Sequence, residues 1–88
     1  MSKIPNHILV EAKSRELKPS VRIGKSGITP TVLGEINNQL RSRNIVKIKA
    51  NKGLFERGQR SELWGFLSSE TQSVLVLQRG NIGVLWRS

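Results

Sequence analysis

The hydrophobic period of this chain changes twice between Val21 and Ala50, and that change restricts the fold more than any other feature. Val21-Arg22-Ile23 alternates apolar and basic residues, the pattern of a short strand with Arg22 facing outward. Val32, Leu33, Ile36 and Leu40 then recur at helical spacing. From Ile45 to Ala50 the alternation returns, with Val46 and Ile48 on one side and Lys47 and Lys49 on the other. The helix between the two strands is well bounded. Thr29-Pro30 supplies a capping residue and a proline at the first helical position, Arg41 and Arg43 suit the negative end of the helix dipole, and Asn44 can take the left-handed stop. A strand, a helix and a strand in this order close as a right-handed crossover between parallel neighbours.

The flanks extend this unit. Ile8, Leu9 and Ala12 share one helical face, so a first helix is expected from Asn6, its N-cap, to Leu17, where Lys18-Pro19 ends it. Residues 51–60 mix glycines and charges without a clear period. Leu63, Trp64 and Leu67 predict a third helix beginning near Gln59, weakened at Gly65 by roughly 1 kcal/mol relative to alanine. Val74 to Leu77 is a continuous apolar run, expected to be a strand covered on both faces. Arg79-Gly80-Asn81 supplies a turn before Ile82 to Trp86, so the chain should close with an antiparallel hairpin. The expected fold is α/β, in the order α-β-α-β-α-β-β, with a mixed four-stranded sheet. At 88 residues the chain supports one core, so residues 1–88 are expected to form a single compact domain.

Charge narrows the choice of partner. Fifteen Lys and Arg face six Glu, a formal net charge of +9. Residues 18–60 hold ten of the basic side chains against Glu35 and Glu56 alone, whereas residues 1–17 and 61–88 are nearly balanced. Such an excess is relieved by a polyanion, and nucleic acid is the commonest one. Other classes find little support. The chain has no cysteine, His7 is its only histidine, and its glutamates are scattered without metal-ligand spacing. No catalytic residue, metal site, cofactor or small-molecule substrate is therefore expected, and the protein is not expected to be an enzyme. The first residues lack the apolar core of a signal peptide and no run is long enough to span a bilayer, which predicts a cytoplasmic protein with no membrane partner.

Between the first strand and the second helix lies Gly24-Lys25-Ser26-Gly27. Glycines let a ligand approach the main chain, so that successive amides can turn toward a phosphate oxygen at the positive end of a helix. Lys25 would add a charge-assisted hydrogen bond and Ser26 a hydroxyl donor. Alternatively, the four residues make a plain tight turn in which glycine only permits positive φ. The Gly-Lys-Ser triplet does not continue into a nucleotide-binding P-loop, because Pro19 stands where that motif needs its first glycine and no aspartate exists to hold magnesium. Among the aromatic residues, Trp64 and Trp86 read as core, and Phe55, between Lys52 and Arg57, either packs under its own loop or is the one candidate for base stacking.

Taken together, Leu17-Lys18-Pro19, the run Ile23-Gly24-Lys25-Ser26-Gly27-Ile28-Thr29, the helix positions Val32, Ile36 and Leu40, and Ile45-Val46-Lys47-Ile48-Lys49 resemble the CRM domain, the YhbY-like family named for chloroplast RNA splicing and ribosome maturation. The closing hairpin fits as well. The resemblance implies a fold similar to the C-terminal domain of translation initiation factor three, a GxxG loop used as KH domains use theirs, and RNA as ligand. It also implies a role in large-subunit ribosome biogenesis or RNA processing, with ribosomal RNA or pre-ribosomal particles as partners. Between Asn51 and Thr71 the sequence departs from the pattern of the family's bacterial members, with glycines and Trp64 in place of a more regular helix.

The candidate RNA-binding set is therefore Gly24, Lys25, Ser26 and Gly27 with Arg22, Lys47 and Lys49, extended by Arg41, Arg43, Lys52, Arg57 and Arg60. The protein is expected to act as a monomer. Two rivals stand beside this reading: an assembly protein that binds mainly a protein partner, and a general nucleic-acid binder that accepts DNA.

Overall fold

The computed structural model describes residues 4–51 and 57–87, with the backbone alone for residues 57–60. Its elements run α1 (Asn6–Lys13), β1 (Val21–Ile23), α2 (Pro30–Arg43), β2 (Ile45–Ala50), α3 (Arg57–Glu70), β3 (Val74–Arg79) and β4 (Ile82–Trp86). The strands form one sheet in the order β1-β2-β4-β3. β1 and β2 are parallel, as the crossover through α2 requires, and β4 lies antiparallel between β2 and β3. Both the expected element order and the mixed sheet are observed.

Two clusters hold the sheet from opposite sides. On the larger side, α2 and α3 bury Ile36, Leu40, Leu63, Trp64 and Leu67 against Val21, Ile23, Val46, Ile48, Ala50 and Leu85. On the other side the short α1 lays Ile8 and Ala12 over Ile45 and Val84, with Val76, Leu77 and Trp86 packed around them. Trp64 is almost fully buried, and the sheet makes room for it with Gly83. A Cβ on that residue would lie 2.8 Å from the indole ring. The indole Nε1 is buried with no hydrogen-bond partner among the described residues, so the ring is held there by its apolar area.

The boundaries of α2 follow the local chemistry. Thr29 Oγ1 accepts from the Val32 amide at 3.2 Å, Pro30 opens the helix, and Asn44 closes it at φ 65°. Differences lie at the flanks. Asn6 is the first helical residue of α1, not its cap; Pro5 holds that position, without a side-chain bond. The helix also ends at Lys13 rather than at Leu17. Ser14 is extended, and its hydroxyl accepts from the Glu16 amide at 3.1 Å, a local bond that competes with helix continuation well before Pro19. The third helix begins at Arg57 and is uninterrupted over 14 residues, Gly65 included, so the stretch expected to depart from a regular helix is regular from that point on.

The run from Val74 to Leu77 is apolar for a reason that periodicity does not show. β3 is an edge strand: Val74 to Leu77 are half-exposed rather than covered on both faces as expected, and Gln78 and Arg79 are exposed, yet the strand touches both clusters. A register shift between Leu75 and Leu77 lets Leu75 face the larger core while Val76 and Leu77, though consecutive, both face α1. The closing hairpin turns through Gly80 at φ 60°, a value that favours glycine at the first central position of a two-residue turn.

Candidate nucleic-acid interface

The glycine loop, the ends of β1 and β2 and the start of α3 are brought to one end of the sheet by the two crossovers. α2 starts where β1 ends and returns to the start of β2, so the loop 24–27 sits beside Ala50 and Asn51 at the far end of β2. A backbone bond from the Asn51 amide to the Ile23 carbonyl (2.9 Å) joins the two strand ends. α3 begins at this same end: Trp64 lies against Gly83 near the strand ends, whereas Thr71, just past the helix, receives Arg87 at the opposite end. The backbone positions of Arg57 and Arg60 are therefore on the loop side of the fold. Their side chains, together with Lys52 and the stacking candidate Phe55, lie outside the described residues.

The loop itself is a closed turn. The Gly27 amide donates to the Gly24 carbonyl at 2.9 Å, so it is turned inward and is not one of the free amides expected there. The amides of Lys25 and Ser26 meet no backbone carbonyl among the described residues, and both residues are exposed. The two glycines differ in what they allow. Gly27 has φ 71°, which a side chain would strain. Gly24 has no such conformation, and a Cβ there would meet no protein atom within 4 Å. Backbone conformation thus explains Gly27, whereas neither conformation nor packing requires glycine at Gly24, and the space above it is open.

Beside the loop, strand register aligns a row across the whole sheet. Arg22 pairs with Lys49, Lys49 with Ile82, and Ile82 with Arg79. Because paired residues point to the same face, these four side chains stand together on the face that α1 covers only at its other end. Arg22, Lys49 and Arg79 are exposed and Ile82 is half-buried. Arg79 completes the row although the sequence assigns it to the turn with Gly80 and Asn81: it is the last residue of β3, paired with Ile82, and its segment is electrically balanced.

The row borders a cleft of about 320 Å³ lined by Arg22, Gly24, Lys49, Asn51 and Asn81 among others. Asn81 is clipped in place: its Nδ2 donates to the Ala50 carbonyl at 2.7 Å and its own carbonyl accepts from the Ala50 amide at 2.8 Å.

The remaining cations are placed elsewhere. Lys47 shares the face of Lys49 but is half-buried, and its Nζ donates to the Leu17 carbonyl at 2.8 Å, tying the segment after α1 to the sheet. Arg41 and Arg43 stand at the far end of α2, roughly 20 Å from the loop at 1.5 Å per helical residue. Arg43 there lines a separate groove with Glu11 and Glu16. The structure therefore gathers Arg22, Lys25, Ser26 and Lys49 with Gly24, and separates Arg41 and Arg43 from them.

Among the described residues, no group of three or more His, Cys, Asp or Glu is placed to hold a metal ion, and no helix is long and apolar enough to cross a membrane.

This arrangement has known relatives. The chain is 31% identical over 71 residues to the "Probable RNA-binding protein PA4753" of Pseudomonas aeruginosa; the match takes in 81% of this chain and 66% of that protein's length. The solution structure of protein SAV1595 from Staphylococcus aureus, described as a candidate RNA-binding protein, superposes with a TM-score of 0.75 at 25% identity, covering 98% of this chain and 90% of the other. Residues 9–87 match the model of the CRS1 / YhbY (CRM) domain. With nearly every element described above inside that match, the chain belongs to the CRS1 / YhbY (CRM) domain family.

Proposed function

We propose that this chain binds RNA, gripping backbone phosphates through Gly24-Lys25-Ser26-Gly27 and the cations beside it. The observation that carries this reading is the conjunction of an open main-chain surface at Gly24, the outward residues Lys25 and Ser26, and the exposed pair Arg22 and Lys49 at one end of one sheet. Amides at a helix head and flanking cations are a general solution for an anionic backbone. Relatives named for RNA binding support RNA over DNA as the partner. Family membership supports a role in large-subunit ribosome maturation or RNA processing. In this reading the protein works as a cytoplasmic monomer, without a cofactor and without catalysis.

The test is a salt series of RNA affinity for the wild type and Lys25→Ala. Each phosphate neutralised on a single strand contributes about 0.7 to the slope of log affinity against log salt, so the variant should bind more weakly and with a slope flatter by about that amount. Unchanged affinity and slope would remove the loop from the interface. Competition with DNA of the same sequence tests the choice of RNA, which alone offers the 2′-hydroxyl.

A further inference from the structure

The cleft next to the loop has polar groups that phosphate binding does not use. Cations account for Arg22 and Lys49, but Asn51 and Asn81 have no charge to offer a phosphate. Asn81 is the better defined of the two. Only the amino side of its carboxamide can donate to the Ala50 carbonyl, so its Oδ1 is directed away from that bond as an acceptor. The paired backbone bond from the Ala50 amide fixes the residue further, and among the described residues nothing donates to Oδ1. A half-buried acceptor held by two bonds at the edge of a cationic cleft is suited to reading a base edge rather than to holding the chain alone.

The size and surroundings of the cleft agree. The row Arg22, Lys49, Ile82 and Arg79 crosses three inter-strand steps, about 14 Å at the usual strand spacing. That is the width of a four-stranded sheet, a platform on which other single-strand binders seat two or three bases. Here the platform offers an apolar centre at Ile82 with a cation on either side, and the cleft opens between its first two members and Gly24. On the same face α1 covers the other end of the sheet and limits how far a ligand can spread in that direction.

We propose that this cleft takes one unpaired nucleotide of the RNA strand, its phosphate between Arg22 and Lys49, and that Asn81 is a specificity-determining residue whose Oδ1 accepts from an exocyclic amino group of the base. The inference rests on the RNA-binding reading above and deepens it. Adenine, cytosine and guanine present an amino group, and uracil has none. Uracil carries a carbonyl oxygen where cytosine carries its amino group, and an acceptor set for that amino group meets an acceptor in uracil, so the protein should prefer strands that place an amino-bearing base at this position and should prefer adenosine to purine riboside.

The experiment uses the full chain and fluorescently labelled uridine heptamers whose central residue is uridine, cytidine, adenosine or purine riboside, the last being adenosine without its amino group. With one hydrogen bond at stake, the adenosine and cytidine strands should bind about three- to tenfold more tightly than all-uridine RNA, and the purine riboside strand should bind like all-uridine RNA. Asn81→Ser should bring the four strands to equal binding. The purine riboside comparison uses wild-type protein, so it decides the question even if that variant folds poorly. Equal binding of all four strands, or purine riboside bound as tightly as adenosine, would overturn the assignment of Asn81 while leaving phosphate binding intact. No binding to any of the strands would overturn the RNA reading itself, and this inference with it.

Discussion

One face of the sheet is used in two different ways along its length. At the start of β2, Ile45 and Val84 lie beneath α1 with the half-buried Trp86 at their edge. Four residues further along β2, about 13 Å at 3.3 Å per residue, the same face presents Arg22, Lys49, Ile82 and Arg79 to solvent. Both ends have the same backbone and the same register. What separates them is the placement of α1, whose Ile8 and Ala12 pack over the Ile45 and Val84 end. A partial cover thus leaves a charged platform beside the glycine loop, and stability and recognition are assigned to neighbouring stretches of the same strands.

The largest effect expected from this contrast is on stability. Ile45→Ala at the covered end should cost about 2–5 kcal/mol, since it empties a buried site that α1 closes. Ile82→Ala, on the same face at the open end, should cost well under half as much, because Ile82 is only half-buried. Urea denaturation of the two variants measures the difference; equal losses would mean that the face is not divided as described.

The glycines of the loop give the next largest contrast. Gly27→Ala forces a side chain into φ 71° and should cost roughly 1–3 kcal/mol. Gly24→Ala should leave the midpoint of thermal unfolding nearly unchanged, because the added methyl group meets no protein atom. It should nonetheless weaken RNA binding by filling the space a phosphate would occupy. If Gly24→Ala binds RNA normally, the ligand does not approach the main chain there.

A smaller effect separates the two lysines of β2. Lys47→Met removes the bond to the Leu17 carbonyl and should destabilise the fold by about 1 kcal/mol, with little change in RNA affinity. Lys49→Met should do the reverse, leaving stability within about 0.5 kcal/mol while weakening RNA binding. Smaller still, and with opposite sign, Gly65→Ala on the exposed side of α3 should stabilise the protein by up to about 1 kcal/mol, since nothing lies within 4 Å of the new Cβ.

Much of this was legible in the residues because local chemistry and global fold agree at the centre of the chain. Thr29-Pro30, Asn44 and the alternation in β2 each specify one backbone outcome, and each is observed. The end of α1 was less legible, since Ser14 competes with the helix through a side-chain bond that hydrophobic period does not register. The site was legible only in part. Arg22, Lys25 and Lys49 could be assigned to a surface from alternation and loop placement. Lys47 looks equivalent to Lys49 in sequence, and its engagement with Leu17 depends on a partner thirty residues away. The hairpin of β3 and β4 is a local feature, but Arg79 and Asn81 join the site only because β4 also pairs with β2, which no local pattern specifies. The separation of Arg41 and Arg43 from the loop follows from the length of α2, although their charge alone had grouped them with it.

The central claim is that the open end of the sheet and the glycine loop form one phosphate-binding surface. It is tested most directly by the salt dependence of RNA binding for the triple variant Arg22→Ala, Lys49→Ala, Arg79→Ala, measured alongside its urea stability. With about 0.7 lost per phosphate contact, the slope should flatten by roughly 2 while the unfolding free energy stays within about 1 kcal/mol of the wild type. A folded triple variant that binds RNA with the wild-type slope would contradict the account.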